Sequence, residues 1–236
     1  MFLIFVNLFS VPLKRFSPYF NNTIRPTLVT QGLYKFYLYK LRIVFTFVIV
    51  TCMRFEDLLG DGRLWGTIYD GKEKDALSEL FEKWEDISWL KEFFEANLKD
   101  LKDFFRITDV NRAIYDTLDD AEDLRCLIFD IKPEDHLDPL FLHLENYRSF
   151  EMLLGREKAK GRANHIGHLS WLRIYAIRLE QDSFLVTGGA IKLTYQMEDR
   201  SHTLEELHKM EKVRNFLIEN GAHDLDSFID FNDNIP

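Results

Sequence analysis

Hydrophobic residues recur every three or four positions through the middle of the chain, which is the spacing of an amphipathic helix. This pattern predicts three consecutive helices, over about 74–85, about 88–105 and about 110–129. Lys132-Pro133 ends the third helix, because proline cannot continue one. Residues 134–148 are ambiguous, and a short helix around 139–145 is one interpretation.

The hydrophobic pattern becomes that of strands on both sides of this helical part. Leu64–Tyr69, between glycines, predicts a short strand. Residues 169–180 and 183–195 predict two more strands, joined by a hairpin turn over 180–183. Gly188-Gly189 inside the last strand indicates a bulge or the close approach of another backbone.

The C-terminal part carries the clearest helix signal. Thr203 and Glu206 have the spacing of a capping box, so a helix is expected from Thr203 to Glu219, with Asn220-Gly221 ending it. The acidic tail over 224–236 is expected to fray. Because strands and helices are segregated along the chain, the fold class predicted is α+β. We expect a small antiparallel sheet, made of the N-terminal strand and the C-terminal hairpin and packed by several helices.

The composition supports a single globular domain. The chain has 236 residues, of which 46% are hydrophobic and 14% aromatic, enough for a sizeable core. Its two cysteines, Cys52 and Cys126, exclude a disulfide scaffold and a cysteine-rich zinc module. So few cysteines fit a reducing compartment, and a cytoplasmic location is expected.

Residues 1–52 differ from the rest of the chain because they contain no Asp or Glu. Their two apolar patches, Phe2–Phe9 and Ile43–Cys52, are each too short for a membrane-spanning helix. Three interpretations stay open: sequence upstream of a natural start at Met53, a membrane-surface or targeting segment, or a packed extension. The first leads to a non-native or disordered extension over 1–52, one domain over 53–223 and an acidic tail over 224–236, with no stable membrane association.

The formal net charge of −9 conceals a basic segment over 156–195, which carries seven basic and three acidic residues. Alternation along its first strand places Trp171, Arg173, Tyr175 and Ile177 on one sheet face, near Lys192. Such a face could bind phosphates and bases. The alternative is that Arg173 pairs with an acidic helix and Tyr175 is half-buried core. The candidate RNA-binding residues are Arg156, Lys158, Lys160, Arg162 and Arg178.

Motifs for other catalytic chemistries do not occur in the chain. It has no Walker loop, no H-E-x-x-H and no G-x-S-x-G. His165 and His168 lie three residues apart, but no nearby cysteine or carboxylate completes a metal-ligand set. No metal and no cofactor are therefore predicted.

The C-terminal half resembles the RelE/ParE superfamily of toxins, and its HigB-type branch in particular. The resemblance lies in the Arg173-Ile174-Tyr175 strand, the Thr187–Thr194 segment and the helix that follows. That family shows an R-I-x-Y-like strand, then a strand ending in G-[FA]-x-K-K-T, then a helix. Leu193 stands where the family has the second lysine, and this chain is longer and more acidic than most members.

The resemblance implies a RelE-like fold with a helical insertion and a metal-independent endoribonuclease that cleaves messenger RNA, usually on the ribosome. It implies that Lys192 stabilises charge or acts as a base and that Arg173 binds the phosphate. Tyr175, Arg200 and His202 are further catalytic candidates by position alone. The implied partners are a helix-turn-helix antitoxin protein and messenger RNA on the ribosome, in a homo-oligomer or a hetero-oligomer with the antitoxin.

Two other functions compete with the ribonuclease. A non-catalytic relative would keep the fold and bind a partner protein through its acidic helices, and Arg173 and Lys192 would then pair with carboxylates. The ribonuclease instead requires a basic cleft centred on these two side chains. A membrane-tethered accessory protein would use residues 1–52.

Overall fold

The structure is a computed structural model that describes residues 53–143, 154, 156–159 and 170–235. Interpretations of residues 1–52 therefore lie outside the described residues. Helices and strands alternate in blocks, as predicted for an α+β fold. In chain order they are β1 (Arg54–Asp57), β2 (Leu64–Ile68), α1 (Ala76–Glu85), α2 (Ile87–Ala96), α3 (Leu98–Phe105), α4 (Val110–Phe129), β3 (Phe141–His143), β4 (Arg156–Ala159), β5 (Leu172–Glu180), β6 (Ser183–Ile191), α5 (Ser201–Glu219) and α6 (Leu225–Asp233).

The sheet has six strands in the order β1-β2-β6-β5-β4-β3. β2 runs parallel to β6, whereas the other neighbouring strands are antiparallel. The expectation of a small, purely antiparallel sheet is therefore wrong. A parallel pair needs a long crossover, and the helices α1–α4 supply it between β2 and β6.

Helices cover both faces of this sheet. On one face, α1–α4 bury a core that includes Trp84, Phe94 and Leu124 against Ile174 and Phe184 of the hairpin. On the other face, α5 and α6 bury a second core. It includes Met53, Tyr175, Ile177, Leu185, Met210, Leu217 and Phe228. No helix within the described ranges is long and apolar enough to cross a lipid bilayer.

Alternation along β5 is confirmed for the residues inside the strand but wrong for Trp171. Ile174 faces the α1–α4 core and Tyr175 the other one, as expected. Trp171 precedes the strand, so strand alternation does not determine its direction. Its ring packs edge-on against Phe94 and Phe105, and Nε1 donates to Thr117 Oγ1 at 3.0 Å.

The predicted helix over 88–105 is two helices, α2 and α3, with a break at Asn97. The backbone N–H and the side-chain amide of Asn97 both donate to the Phe93 carbonyl, at 3.0 and 2.8 Å. A side chain that hydrogen-bonds to its own backbone in this way competes with helix continuation. By contrast, α1 and α4 lie where the hydrophobic spacing predicts them.

Three short strands differ from the expectations. The helix suggested around 139–145 is wrong, because Phe141–His143 is strand β3, paired with β4. β4 itself lies in the basic run, where no strand was expected, and β1 directly follows Met53. Each has only three or four residues, too few for alternation to be recognisable.

The C-terminal helices also differ from their predictions. α5 begins at Ser201 with Arg200 as its N-cap, so Thr203 is not the cap; its hydroxyl donates instead to the carbonyls of Met197 and Arg200. The expectation of a frayed tail is wrong, since residues 225–233 form α6. Phe228 is its buried anchor, with its ring 5.2 Å from that of Phe55 and 5.1 Å from that of Trp65.

Candidate functional site

Arg173 and Lys192 are brought together where β5 begins and β6 ends. Arg173 lies opposite Ala190 in the hairpin, and Lys192 directly follows β6. The Arg173 guanidinium donates from Nη1 to the carbonyls of Ser170 and Leu172, at 2.8 and 2.6 Å. The carbonyl between these two, that of Trp171, accepts from the Lys192 backbone N–H at 2.8 Å. Both residues therefore donate hydrogen bonds to the same stretch of backbone, Ser170–Leu172.

No carboxylate of the described residues lies within ion-pair distance of Arg173 or Lys192. The Lys192 ammonium donates instead to the Tyr195 carbonyl, at 2.7 Å. Burial and the neighbouring Arg173 charge lower the pKa of Lys192; Glu198 and Asp199 act in the opposite direction with smaller effects. Burial also lowers the pKa of Arg173. The two cations thus form a partly desolvated positive pair, hereafter the Arg173–Lys192 pair.

Tyr175 belongs to the same sheet face but is fully buried beneath α5. It lies opposite Gly188 in the hairpin and is 1% exposed. Its hydroxyl has no hydrogen-bond partner among the described residues, and burial raises the pKa of that hydroxyl. Tyr175 is therefore more deeply buried than the half-buried core residue that was expected. Its ring is not accessible for stacking on a base.

Glu206 is a buried acid beside this site that sequence reasoning assigned to a helix cap. β2 pairs only with Phe184–Val186, which leaves the next part of that β6 edge without a strand partner. The Glu206 carboxylate accepts there from the Gly189 N–H and from Lys209 Nζ, the latter at 2.6 Å. Burial raises the pKa of Glu206. A nearby hydroxyl, that of Tyr69, donates to the Thr187 carbonyl at 2.5 Å.

The glycine pair in β6 was the sequence signal for this contact. Gly188 has a φ of +154°, and a Cβ there would lie 2.2 Å from Glu206 Oε2. A Cβ on Gly189 would lie 2.4 Å from both the Arg173 carbonyl oxygen and a methyl of Leu80. Both predicted alternatives are confirmed: the register of the hairpin shifts between Tyr175–Gly188 and Ala176–Val186, and the Arg173 backbone lies close to Gly189.

Arg200 and His202 make contacts that fix the start of α5. Nε and Nη2 of Arg200 donate to the two carboxylate oxygens of Asp100, both at 2.6 Å, which ties the loop before α5 to α3. Arg200 holds the pKa of Asp100 below its usual value. The His202 Nε2 lies 3.0 Å from the Ile191 carbonyl oxygen, and its ring meets that of Phe93 edge-on.

Of the candidate RNA-binding residues, Arg156 and Lys158 lie in β4 and Arg178 lies in the neighbouring β5. Arg178 is buried on the α1–α4 side with Nη1 2.5 Å from Asp138, so it does not present its charge to solvent. Arg156 pairs with Glu211 of α5 at 2.9 Å, and Lys158 lies opposite Tyr175 in the sheet. Lys160 and Arg162 lie outside the described residues, as do His165 and His168.

Within the described ranges, no three His, Cys, Asp or Glu side chains converge as a metal-ligand set. When the chain was compared with protein-family models, with curated proteins and with solved structures, none of the three comparisons found a match.

Proposed function

We propose that this chain is the toxin of a type II toxin–antitoxin system, a metal-independent endoribonuclease that cleaves messenger RNA. The Arg173–Lys192 pair would bind the scissile phosphate. The observation that supports this is the pair itself, two adjacent cations anchored by backbone carbonyls rather than by carboxylates. A bound phosphate would relieve their repulsion, and the planar guanidinium matches the spacing of its oxygens.

The proposed chemistry gives the two residues different roles: Lys192 transfers a proton, and Arg173 stabilises negative charge. A lysine whose pKa is lowered by burial and by an adjacent guanidinium is a better base at neutral pH than an ordinary lysine. In the proposed reaction the neutral fraction of Lys192, which its lowered pKa increases, accepts the 2′-hydroxyl proton while that oxygen bonds to the phosphorus. Arg173 stabilises the pentacovalent phosphate. The bond to the 5′-oxygen then breaks and the Lys192 ammonium returns the proton to it, leaving a 2′,3′-cyclic phosphate and a 5′-hydroxyl.

The test is messenger RNA integrity in a cell-free translation reaction that contains the purified full chain. The parent is compared with Arg173→Gln, Lys192→Met and the matched control Lys91→Met, which changes an exposed lysine of α2. Loss of a general base should slow cleavage about 100-fold or more. Circular dichroism checks that each variant is folded. Equal cleavage by the parent and Lys192→Met would sink the assignment of the base.

The partner in this proposal is a helix-turn-helix antitoxin encoded beside the chain. Coexpression of this antitoxin should restore the growth of cells that express the active chain. Continued growth arrest, with both proteins present in the cell, would contradict the toxin–antitoxin part of the proposal. It would leave the ribonuclease test unaffected.

A second candidate, a non-catalytic protein-binding relative, is favoured by a groove of about 320 Å³ at the end of α4. Its apolar lining includes Leu127, Ile131 and Leu140. After burial, the groups that raise the pKa of Cys126 in this groove are all carboxylates. An apolar groove with an acidic rim suits a partner segment that carries basic residues around an apolar anchor. Loss of partner binding by Leu127→Lys, with messenger RNA left intact by the parent, would favour this function.

A further inference from the structure

Tyr195 is the most exposed large apolar side chain in the described part of the chain. It lies between β6 and α5 and is 83% exposed. Its ring meets that of Phe104 edge-on, with centroids 5.1 Å apart, and Phe104 is itself 40% exposed. The two aromatic side chains thus form a small apolar surface open to solvent.

The backbone under Tyr195 is held by hydrogen bonds. Lys192 Nζ donates to the Tyr195 carbonyl, as described above. The next N–H, that of Gln196, donates to Asp199 Oδ2 at 3.0 Å, and Thr194 Oγ1 donates to the Gln196 carbonyl at 3.1 Å. The ring is therefore presented from a fixed loop, which reduces the entropy lost when a ligand packs on it.

The charges around Tyr195 favour a base over a phosphate at this position. Glu198 and Asp199 follow it in the loop and lie close enough to Lys192 to affect its pKa. Such carboxylates repel phosphate oxygens but tolerate the uncharged face of a base. The Lys192 ammonium connects the Arg173–Lys192 pair to the Tyr195 backbone. A phosphate on the pair would place a neighbouring base within reach of the ring.

We propose that Tyr195, with Phe104 against its ring, stacks one unpaired base of single-stranded RNA next to the phosphate bound by Arg173 and Lys192. This rests on the proposed function, because both sites bind the same RNA strand. Stacking on an aromatic face is tolerant of sequence, since every base has such a face. Tyr195 therefore adds affinity and sets the distance between a base and the reacting phosphate, without reading the base's edge.

The experiment measures binding of a fluorescein-labelled, 2′-O-methylated single strand by anisotropy, so that cleavage cannot occur. The full chain is compared with Tyr195→Ala, Tyr195→Phe and the control Tyr115→Ala, which removes a 68% exposed tyrosine from α4. We expect Tyr195→Ala to weaken binding about 5- to 150-fold, the range found for one base stacked on an aromatic side chain. Tyr195→Phe and Tyr115→Ala should bind like the parent.

A second probe, an abasic strand of equal length, separates stacking from loop effects. Tyr195→Ala should not weaken binding of this strand. Equal losses for both strands would show that Tyr195 acts only by shaping its loop, and would overturn the stacking site. Undiminished RNA binding by Tyr195→Ala, with binding lost in Lys192→Met, would overturn it while leaving the phosphate site standing. If the parent binds neither strand, the stacking site is overturned, while the cleavage test in the translation reaction decides the proposed function separately.

Discussion

Glu206 lies between the edge of β6 that has no strand partner and positive groups on two helices. Lys209 of α5 donates to it directly, and Lys83 of α1 attracts it electrostatically. Its charge also affects two buried hydroxyls, since it helps to raise the pKa of Tyr69 and of Tyr175. A single carboxylate thus contacts the sheet edge at Gly189 and adds to the effect of burial on the two tyrosine hydroxyls.

The raised pKa of Glu206 predicts a pH dependence of stability. A carboxyl whose folded-state pKa lies above its ordinary value of 4.5 binds a proton more readily when folded. Its favourable contribution is therefore complete below pH 4.5 and is lost as the pH rises through the folded-state pKa. We expect the free energy of unfolding of the parent, relative to Glu206→Gln, to fall over this window and then to level off.

Urea unfolding of both proteins between about pH 4 and pH 8 measures the effect. Glu205→Gln, an exposed neighbour on the same helix, is the control and should follow the parent. A difference between the parent and Glu206→Gln that is constant with pH would contradict the prediction.

Substitution of Gly189 by any other residue should destabilise the fold, because a side chain at this position would clash with neighbouring atoms. The Cβ of Gly189→Ala would meet the Arg173 carbonyl, which belongs to the adjacent strand and has little freedom to move. Overpacking of this kind costs about 1–3 kcal/mol. The control Gly221→Ala has open space but a φ of +79°, so it should cost about 1 kcal/mol through backbone strain alone. Thermal unfolding compares the two, and a Gly189→Ala that is no less stable than Gly221→Ala would refute the crowding.

At the scale of whole elements, sequence patterns succeed where an element is long and its ends are marked. α4 matches its predicted range, with Asp109 as its N-cap and Lys132-Pro133 shortly after its end. The hairpin of β5 and β6 was predicted from its turn, and its register brings Arg173 close to Lys192 as expected. β1, β3 and β4 were missed because their stability depends on sheet neighbours rather than on a local pattern.

Glu206 shows why part of the site was not predictable. Thr203 and Glu206 have the spacing of a capping box, which is a local signal. In the folded chain the Gly189 N–H and Lys209 are the partners of Glu206, and Gly189 is distant in sequence. A pattern within one helix contains no information about an unpaired N–H on a strand before it.

α6 should contribute to stability as an integral part of the second core. Phe228 is fully buried between the rings of Phe55 and Trp65. Removal of a buried phenylalanine ring costs about 3–5 kcal/mol, so Phe228→Ala should strongly lower the free energy of unfolding. Phe129→Ala, whose side chain is 45% exposed, is the control and should change it by about 0.5 kcal/mol or less. Equal stability of the two variants in urea would mean that α6 does not pack as described.

At the scale of the whole molecule, charge is unevenly distributed. The chain as a whole carries −9, yet 156–195 is basic, and within it Arg173 and Lys192 donate to backbone carbonyls and form no ion pair with a described carboxylate. Arg156, Arg178 and Arg200, by contrast, are each paired with an acid. Among the residues that the structure describes, few cations are therefore available to bind RNA, and they lie against a repulsive background.

If the Arg173–Lys192 pair supplies the phosphate contacts, as the described part of the chain indicates, the salt dependence of RNA binding should be shallow. Each phosphate contact on a single strand contributes about −0.7 to the slope of log affinity against log salt, so two contacts give about −1.4. Anisotropy titrations of the full chain at several salt concentrations measure this slope, and Lys192→Met should reduce it by about half. A slope of about −4 or steeper would show that other cations dominate binding.

The parallel pairing of β2 with β6 has a consequence for the chain during its synthesis. Thr67 of β2 donates to the Val186 carbonyl of β6 across 119 residues. At about 5–20 residues per second, a ribosome needs about 6–24 s to make that intervening segment. Throughout this interval β2 has only β1 as a sheet partner, and its other edge is open to pairing with another nascent chain. Translation speed therefore sets how long β2 stays vulnerable to aggregation, and this edge is where a chaperone would protect the unfinished protein.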